Sequence, residues 1–281
     1  MENQIDKTIK DFMSVTAKSS VAVIIPLYGF WDDIPDNQVN GEVLKIALSR
    51  LYSNVHHLYT IFIANPQTIS NDLKDPNSVA NILLSRDKMG NSQNLPIERN
   101  ATYPQYIEKG MEFAVKETNA QFIVVFNPWV MIQENAIDVL VDRCNRSDEA
   151  KVVSGYDLRL EIEPENFDTF RTNTPNEEWD LSFNFVAMPR YVAEMISIDP
   201  NYKTHVFLER DIWQQVAQRS WVVIASQRIP IFPFDFPWLD YEKKEQFEED
   251  RKYFGEKWRF DPGLIYKDPS GISRKDKTGA R

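Results

Sequence analysis

The run Gln121-Phe122-Ile123-Val124-Val125-Phe126 passes without a break into the turn Asn127-Pro128-Trp129 and then into Val130-Met131-Ile132. A continuous apolar run so rich in β-branched and aromatic residues describes a strand covered on both faces, as in a parallel sheet. Such a sheet needs helices on each side, which commits the chain to an α/β layer architecture. In open α/β sheets ligands lie beyond the carboxyl ends of the strands. The Asn127-Pro128-Trp129 turn is therefore a candidate rim of a binding site.

The flanking segments fit that architecture. Val21-Ala22-Val23-Ile24-Ile25-Pro26 reads as another buried strand, closed by a proline that cannot continue a central ladder, and Leu27-Tyr28-Gly29 turns away from it. After a polar insertion over 31–41, residues 42–52 place Val43, Leu44, Ala47, Leu48 and Leu51 at helical spacing. Tyr59-Thr60-Ile61-Phe62-Ile63-Ala64 is the next strand and ends at Asn65-Pro66, completing a βαβ unit. The short apolar segment 79–84 reads as a third strand, and helices over 104–117 and 133–143 bracket the central strand. This alternation predicts a doubly wound, Rossmann-like, mostly parallel twisted sheet flanked by helices.

The second half has a different grain. Val152-Val153-Ser154-Gly155-Tyr156-Asp157 reads as an edge strand, 161–178 as an acidic loop, and Phe183-Asn184-Phe185-Val186-Ala187-Met188 as a strand before a short helix over 190–196. His205-Val206-Phe207-Leu208-Glu209-Arg210-Asp211 opens a helix that runs to about residue 219, where Glu209 and Asp211 would complement its dipole. Trp221-Val222-Val223-Ile224-Ala225 is a strand, and Phe232-Pro233-Phe234-Asp235-Phe236-Pro237-Trp238 reads as an aromatic loop packed over the domain. Residues 241–254 form a charged helix whose acidic run over 242–250 reads as a solvated face. The expected division is an arm over 1–20, a domain over 21–240 with halves 21–145 and 146–240, and a C-terminal helix and basic tail over 241–281.

Composition excludes several functions. A net charge of −10 argues against a general nucleic-acid binder, since neutralising phosphates needs a basic surface. The lone Cys144 rules out an intramolecular disulfide and a cysteine-rich metal site, and fits a reducing compartment. No apolar run approaches the roughly 18–20 residues that span a bilayer. Residues 1–20 are polar and carry acids, unlike a secretory signal. A soluble cytoplasmic protein is expected. Leu27-Tyr28-Gly29-Phe30 lacks the glycine-rich loop of a dinucleotide-binding dehydrogenase and the glycine-rich, basic one of a nucleotidyltransferase.

Taken in order, these segments resemble a family-2-like glycosyltransferase with the GT-A (nucleotide-diphospho-sugar transferase) fold over roughly residues 20–260. Val23-Ile24-Ile25-Pro26-Leu27-Tyr28 resembles the family's opening strand, with residues 44–52 resembling its first helix and Ile61-Phe62-Ile63-Ala64-Asn65 its second strand. Lys109-Gly110-Met111 through Phe126 resembles the helix and strand that deliver the metal-binding turn. Phe207-Leu208-Glu209-Arg210-Asp211, ahead of Trp221-Val222-Val223, resembles the acidic motif that supplies the catalytic base. Tyr253-Phe254-Gly255-Glu256-Lys257-Trp258 resembles the closing Phe-x-x-Lys-Trp. The resemblance implies a hexosyltransferase-type enzyme that moves a sugar from a nucleotide-diphosphate sugar to an acceptor hydroxyl with inversion. The acceptor, a glycan, a protein or a small molecule, is not encoded in any motif. Catalysis would come from Glu209 and Asp211, and donor binding from Pro26, Tyr28, Asn65, Lys109, Asn127 and Trp129.

One part of the pattern is missing. Where the family shows an Asp-x-Asp turn for Mn or Mg, this chain has Asn127-Pro128-Trp129. The second strand ends in Asn65 rather than an acid, and the segment 232–236 carries Asp235 but no histidine. Amide and indole groups do not replace two carboxylates around a hard cation. Two readings follow. In the first, the enzyme works without metal, and cations such as Arg86, Lys88, Lys109, Arg210, Arg274, Lys275 or Lys277 neutralise the diphosphate. In the second, a catalytically inactive GT-A fold serves as a binding or scaffolding module. Of the remaining candidates, His56 and His57 read as surface residues, His205 as one that could approach the site, and Cys144 as structural.

Overall fold

The computed structural model describes residues 20–28, 37–51, 56–65, 79, 82–83, 91–146, 150–157, 170–172, 183–233 and 244–259. Its elements are β1 (Ser20–Pro26), α1 (Asn37–Arg50), β2 (His57–Ala64), β3 (Ser92–Pro96), α2 (Tyr103–Glu117), β4 (Phe122–Phe126), β5 (Val130–Ile132) and α3 (Ala136–Arg146). They continue with β6 (Ala150–Asp157), β7 (Phe170–Thr172), β8 (Phe185–Pro189), α4 (Arg190–Met195), α5 (His205–Gln218), β9 (Val222–Pro233) and α6 (Lys244–Trp258).

The nine strands among the described residues form one sheet, in the order β3-β2-β1-β4-β8-β6-β9-β5, with β7 also on β9. The strands β3, β2, β1, β4, β6 and β9 run in one direction and β8, β5 and β7 in the other. Burial explains the composition. β1 and β4 lie inside the sheet, are wholly enclosed apart from Ser20, and are the apolar runs of the sequence. The two halves of the expected domain interleave in this sheet, since β8, β6 and β9 stand between β4 and β5.

α2 packs on β1 and β2 so closely that only glycine fits at its middle. A Cβ on Gly110 would lie 2.4 Å from Ile24 Cγ2 and 2.9 Å from Ile63 Cδ1. The helix starts at a Thr-x-x-Gln box, where the Thr102 backbone N–H donates to Gln105 Oε1 at 2.8 Å. Its far end is capped by Arg190, whose guanidinium donates to the carbonyls of Val115 and Thr118.

Several sequence expectations need correction. The third strand is Ser92–Pro96, while Val79, Ile82 and Leu83 are helical. The i, i+3, i+4 spacing of those three residues is a helical stripe, and β3 escapes an apolar search because it is a half-exposed edge strand. β6 is no edge strand; it pairs with β8 on one side and β9 on the other. β9 extends through Phe232 and Pro233, where a loop was expected, by pairing Met131 with Phe232. α1 begins at Asn37, inside the stretch read as a polar insertion. α6 is not a wholly solvated face, since Phe247, Asp250 and Phe254 are buried along it. His57 is exposed, whereas the His56 side chain is 5% exposed and stands 3.9 Å from Asp138. Burial pushes the His56 pKa below its ordinary value, against the pull of Asp138 and Asp142. The arm, most of the acidic loop, the segment 234–243 and the tail lie outside the described residues. Among the described residues, no helix is long and apolar enough to cross a membrane.

Candidate active site at the carboxyl edge of the sheet

Because β3, β2, β1 and β4 are parallel and adjacent, their carboxyl ends share one edge. Along it stand Pro96, Asn65, Tyr28 with Pro26, and Asn127, on successive strands. At about 4.8 Å per strand, the edge from β3 to β4 is roughly 14 Å long. The chain leaves β4 through the Asn127 turn. Asn127 Nδ2 donates to Asn184 Oδ1 at 2.8 Å, its Oδ1 accepts the Trp129 backbone N–H at 3.1 Å, and its own N–H donates to the Asn184 carbonyl at 2.7 Å. The carboxamide therefore holds an Asx turn on one side and the entry to β8 on the other. Asn127 is 1% exposed, so this pair satisfies amide groups that burial would otherwise leave costly.

Trp129 is also enclosed, at 4% exposure, and its indole N–H donates to the Tyr28 carbonyl at 3.3 Å. It ties the end of β1 to the turn after β4. Tyr28 in turn meets Tyr103 and Tyr106 of α2 edge to face, with ring centroids 5.7 and 5.3 Å apart. Asn65 is buried at the end of β2. Lys109 donates from α2 to the Pro96 carbonyl at the end of β3, so it serves the far end of the edge rather than the Asn127 turn.

Glu209 is linked to that turn through the residues that lead into β8. Its Oε1 accepts the Phe183 backbone N–H at 2.8 Å, and Phe183 precedes the Asn184 that is bonded to Asn127. β8 is antiparallel to β4, with Phe185 opposite Phe126, so Phe183 and Asn184 lie beyond the carboxyl end of β4. The half-buried Glu209 thus joins the second turn of α5 to the rim.

Asp211 faces elsewhere. It is 0% exposed and is met by Tyr202 Oη at 3.0 Å, Trp258 Nε1 at 2.8 Å, Gln215 Nε2 at 2.8 Å and Lys257 Nζ at 2.7 Å. A carboxylate filled by four donors, one of them a cation, is poorly placed to take a further proton. Lys257 also reaches Asp199 Oδ2 at 2.7 Å, which accepts the Tyr253 hydroxyl at 2.9 Å. Neither Glu209 nor Asp211 caps α5, since the helix starts at His205 with Thr204 as its N-cap.

The cap comes from α6, and nothing in the charged run singled it out. Asp250, 2% exposed, accepts the backbone N–H groups of Lys203 and Thr204 and the Thr204 hydroxyl at 2.8–3.0 Å. The helical spacing of Phe247, Asp250 and Phe254 was the available signal, because it sets one acid on the apolar face. Around these polar links Tyr202, Phe207, Phe247 and Phe254 form an aromatic cluster separate from the main core.

The turn after β4 does not fit a hard divalent cation. Its amide is engaged at both ends, its indole offers no ligand, and no group of three or more His, Cys, Asp or Glu side chains fit for a metal occurs among the described residues. Cys144 is buried behind β8, its thiol donating to the Ala187 carbonyl at 3.4 Å, and burial pushes its pKa up to about 12.

No family model matches the sequence, and neither does any curated protein. Solved structures do match. The crystal structure of Staphylococcus aureus TarS residues 1–349 aligns at a TM-score of 0.53 and 9% identity, covering 92% of this chain and 74% of that one. The structure of S. aureus TarS aligns at 0.50 and 9% identity over 89% of this chain and 41% of that one. At such identity the likeness speaks for the fold, and the fold agrees with the edge built above: this chain has a GT-A-type fold.

Proposed function

We propose that this chain binds a nucleotide-diphosphate sugar along the carboxyl edge of its sheet and transfers the sugar, with inversion and without a metal ion, to an acceptor hydroxyl. A fold alone does not fix a function, so the reading rests on the site. The observation that carries it is the Glu209–Phe183–Asn184–Asn127 connection, which holds a carboxylate beside the end of β4. In this reading the nucleotide lies over the β2 and β3 ends, beside Asn65 and Lys109. The sugar points past Pro26, Tyr28 and the Asn127-Pro128-Trp129 turn toward Glu209. Glu209 takes the proton of the acceptor hydroxyl as its oxygen bonds to the anomeric carbon, and the diphosphate leaves from the opposite face. Arg210, next to the base, and Lys109 supply positive charge to the departing diphosphate. Asp211 supports α5 and takes no proton.

A second reading has its own support. Asn127 and Trp129 are both enclosed and hydrogen-bonded within the fold, which suits a binding module whose rim is packed rather than catalytic. Thermal-shift titration with nucleotide diphosphates and their sugars, with and without manganese, separates the two. Stabilisation by a donor sugar that manganese does not deepen supports metal-free donor binding. No response to any donor leaves only the module.

A further inference from the structure

We propose that α6 is a positioning device for Glu209, acting through two grips on α5. One grip is electrostatic and terminal. Asp250 crosses from α6 to the N-cap of α5 and the residue before it, and accepts the Lys203 N–H, the Thr204 N–H and the Thr204 hydroxyl. Helix starts carry unsatisfied N–H groups and a partial positive charge, and here a neighbouring helix supplies the anion. The second grip is about two turns further on. Lys257 and Trp258, the last two residues of α6, both bond to Asp211 Oδ1, at 2.7 and 2.8 Å.

Glu209 lies between the two gripped points in sequence. A helix held at Thr204 and at Asp211 can neither slide along its axis nor rotate about it. Rotation is the motion that matters, because each residue step turns a helix by about 100°. Either motion would withdraw Glu209 Oε1 from the Phe183 N–H, 2.8 Å away. Lys257 is itself anchored by Asp199 and lies 5.4 Å from the Tyr202 ring centroid, so the second grip has few ways to relax. The segment that resembles the family's closing Phe-x-x-Lys-Trp thereby gains a mechanical role in this chain. The inference deepens the proposed transfer reaction and rests on it for the catalytic consequence, though not for the structural one.

The test uses the full chain with Lys257→Met, Trp258→Phe and, as the conservative rescue, Lys257→Arg. Hydrogen exchange at the Phe183 amide reports the Glu209 contact without any need for turnover. The expected result is at least tenfold faster exchange at Phe183 in Lys257→Met and Trp258→Phe, with β1 and β4 amides unchanged and near-wild-type protection in Lys257→Arg. Alongside it, kcat for donor turnover falls about tenfold or more while the donor KM stays within twofold, as expected when a base is displaced by a fraction of an ångström. Unchanged Phe183 protection in both variants, or uniform loosening of the sheet as well, overturns the proposal. If the wild type turns over no donor, the transfer reading falls, and the Phe183 exchange result still decides whether α6 positions Glu209.

Discussion

Asp250→Ala probes the junction between α5 and α6 in its simplest form. The carboxylate is 2% exposed and receives two backbone N–H groups and one hydroxyl. Hydrogen bonds to a charged group contribute about 1.5–3 kcal/mol each but are not additive, and losing an N-cap acceptor costs about 0.5–2 kcal/mol. Removing Asp250 also strands the Thr204 donors, since Thr204 is fully buried. Water can enter beside half-exposed neighbours, so about 3 kcal/mol is the expected net loss. For a chain of this size that corresponds to roughly 6–12 °C in Tm. Differential scanning calorimetry of Asp250→Ala against Glu248→Ala measures it, because Glu248 is an exposed acid on the same helix. Glu248→Ala should stay within about 0.5 kcal/mol of wild type. If Asp250→Ala melts within 2 °C of Glu248→Ala, the cap does not hold α5 and the junction argument fails.

Three further outcomes follow from the same structure. Burial alone would raise the Asp199 pKa, but hydrogen bonds from Lys257, the Asn201 N–H and Tyr253 outweigh it and hold the carboxyl below its ordinary value. Burial alone would lower the Lys257 pKa, but Asp199 and Asp211 outweigh it and hold the ammonium above its ordinary value. A depressed acid contributes stability above its unfolded pKa of about 4 and loses it as pH falls through the folded value; a raised base contributes below about 10 and loses it as pH climbs through the folded value. The difference in urea midpoint between wild type and Lys257→Met should thus be largest from roughly pH 5 to 9 and shrink at both ends, and a difference constant from pH 3 to 11 refutes the pairing. Gly110→Ala should lose about 1–2 kcal/mol by urea titration, because overpacking against Ile24 and Ile63 outweighs the helix propensity gained. Cys144, buried with its pKa at about 12, should resist a thiol-specific reagent at pH 8 in the folded protein and react fully in denaturant.

What the sequence made legible is what burial dictates. β1, β2 and β4 announce themselves because strands covered on both faces must be apolar, and their spacing exposes the βαβ unit between them. β3 does not, since Ser92-Gln93-Asn94-Leu95-Pro96 sits half-exposed at the sheet edge and obeys no such rule. The internal place of β6 depends on pairing with β8 and β9, contacts far apart along the chain that local pattern does not encode. The resemblance pointed to Glu209 and Asp211 together, and nothing in it separated their surroundings. The two acids are neighbours in a motif, yet half a helical turn apart they face different partners, Phe183 for one and α6 for the other. Asp250 was hidden among Glu245, Glu248 and Glu249, all exposed, and only its place on the Phe247–Phe254 stripe distinguishes it.

The central claim is that Glu209 is the base of a sugar-transfer site at the end of β4. Donor turnover by wild type, Glu209→Gln and Asp211→Asn, each with donor affinity measured separately, tests it most directly. The account predicts that Glu209→Gln lowers kcat at least a hundredfold, on the scale of losing a general base, with donor Kd within about twofold. It predicts that Asp211→Asn lowers Tm more than Glu209→Gln does. Equal turnover in wild type and Glu209→Gln would contradict it.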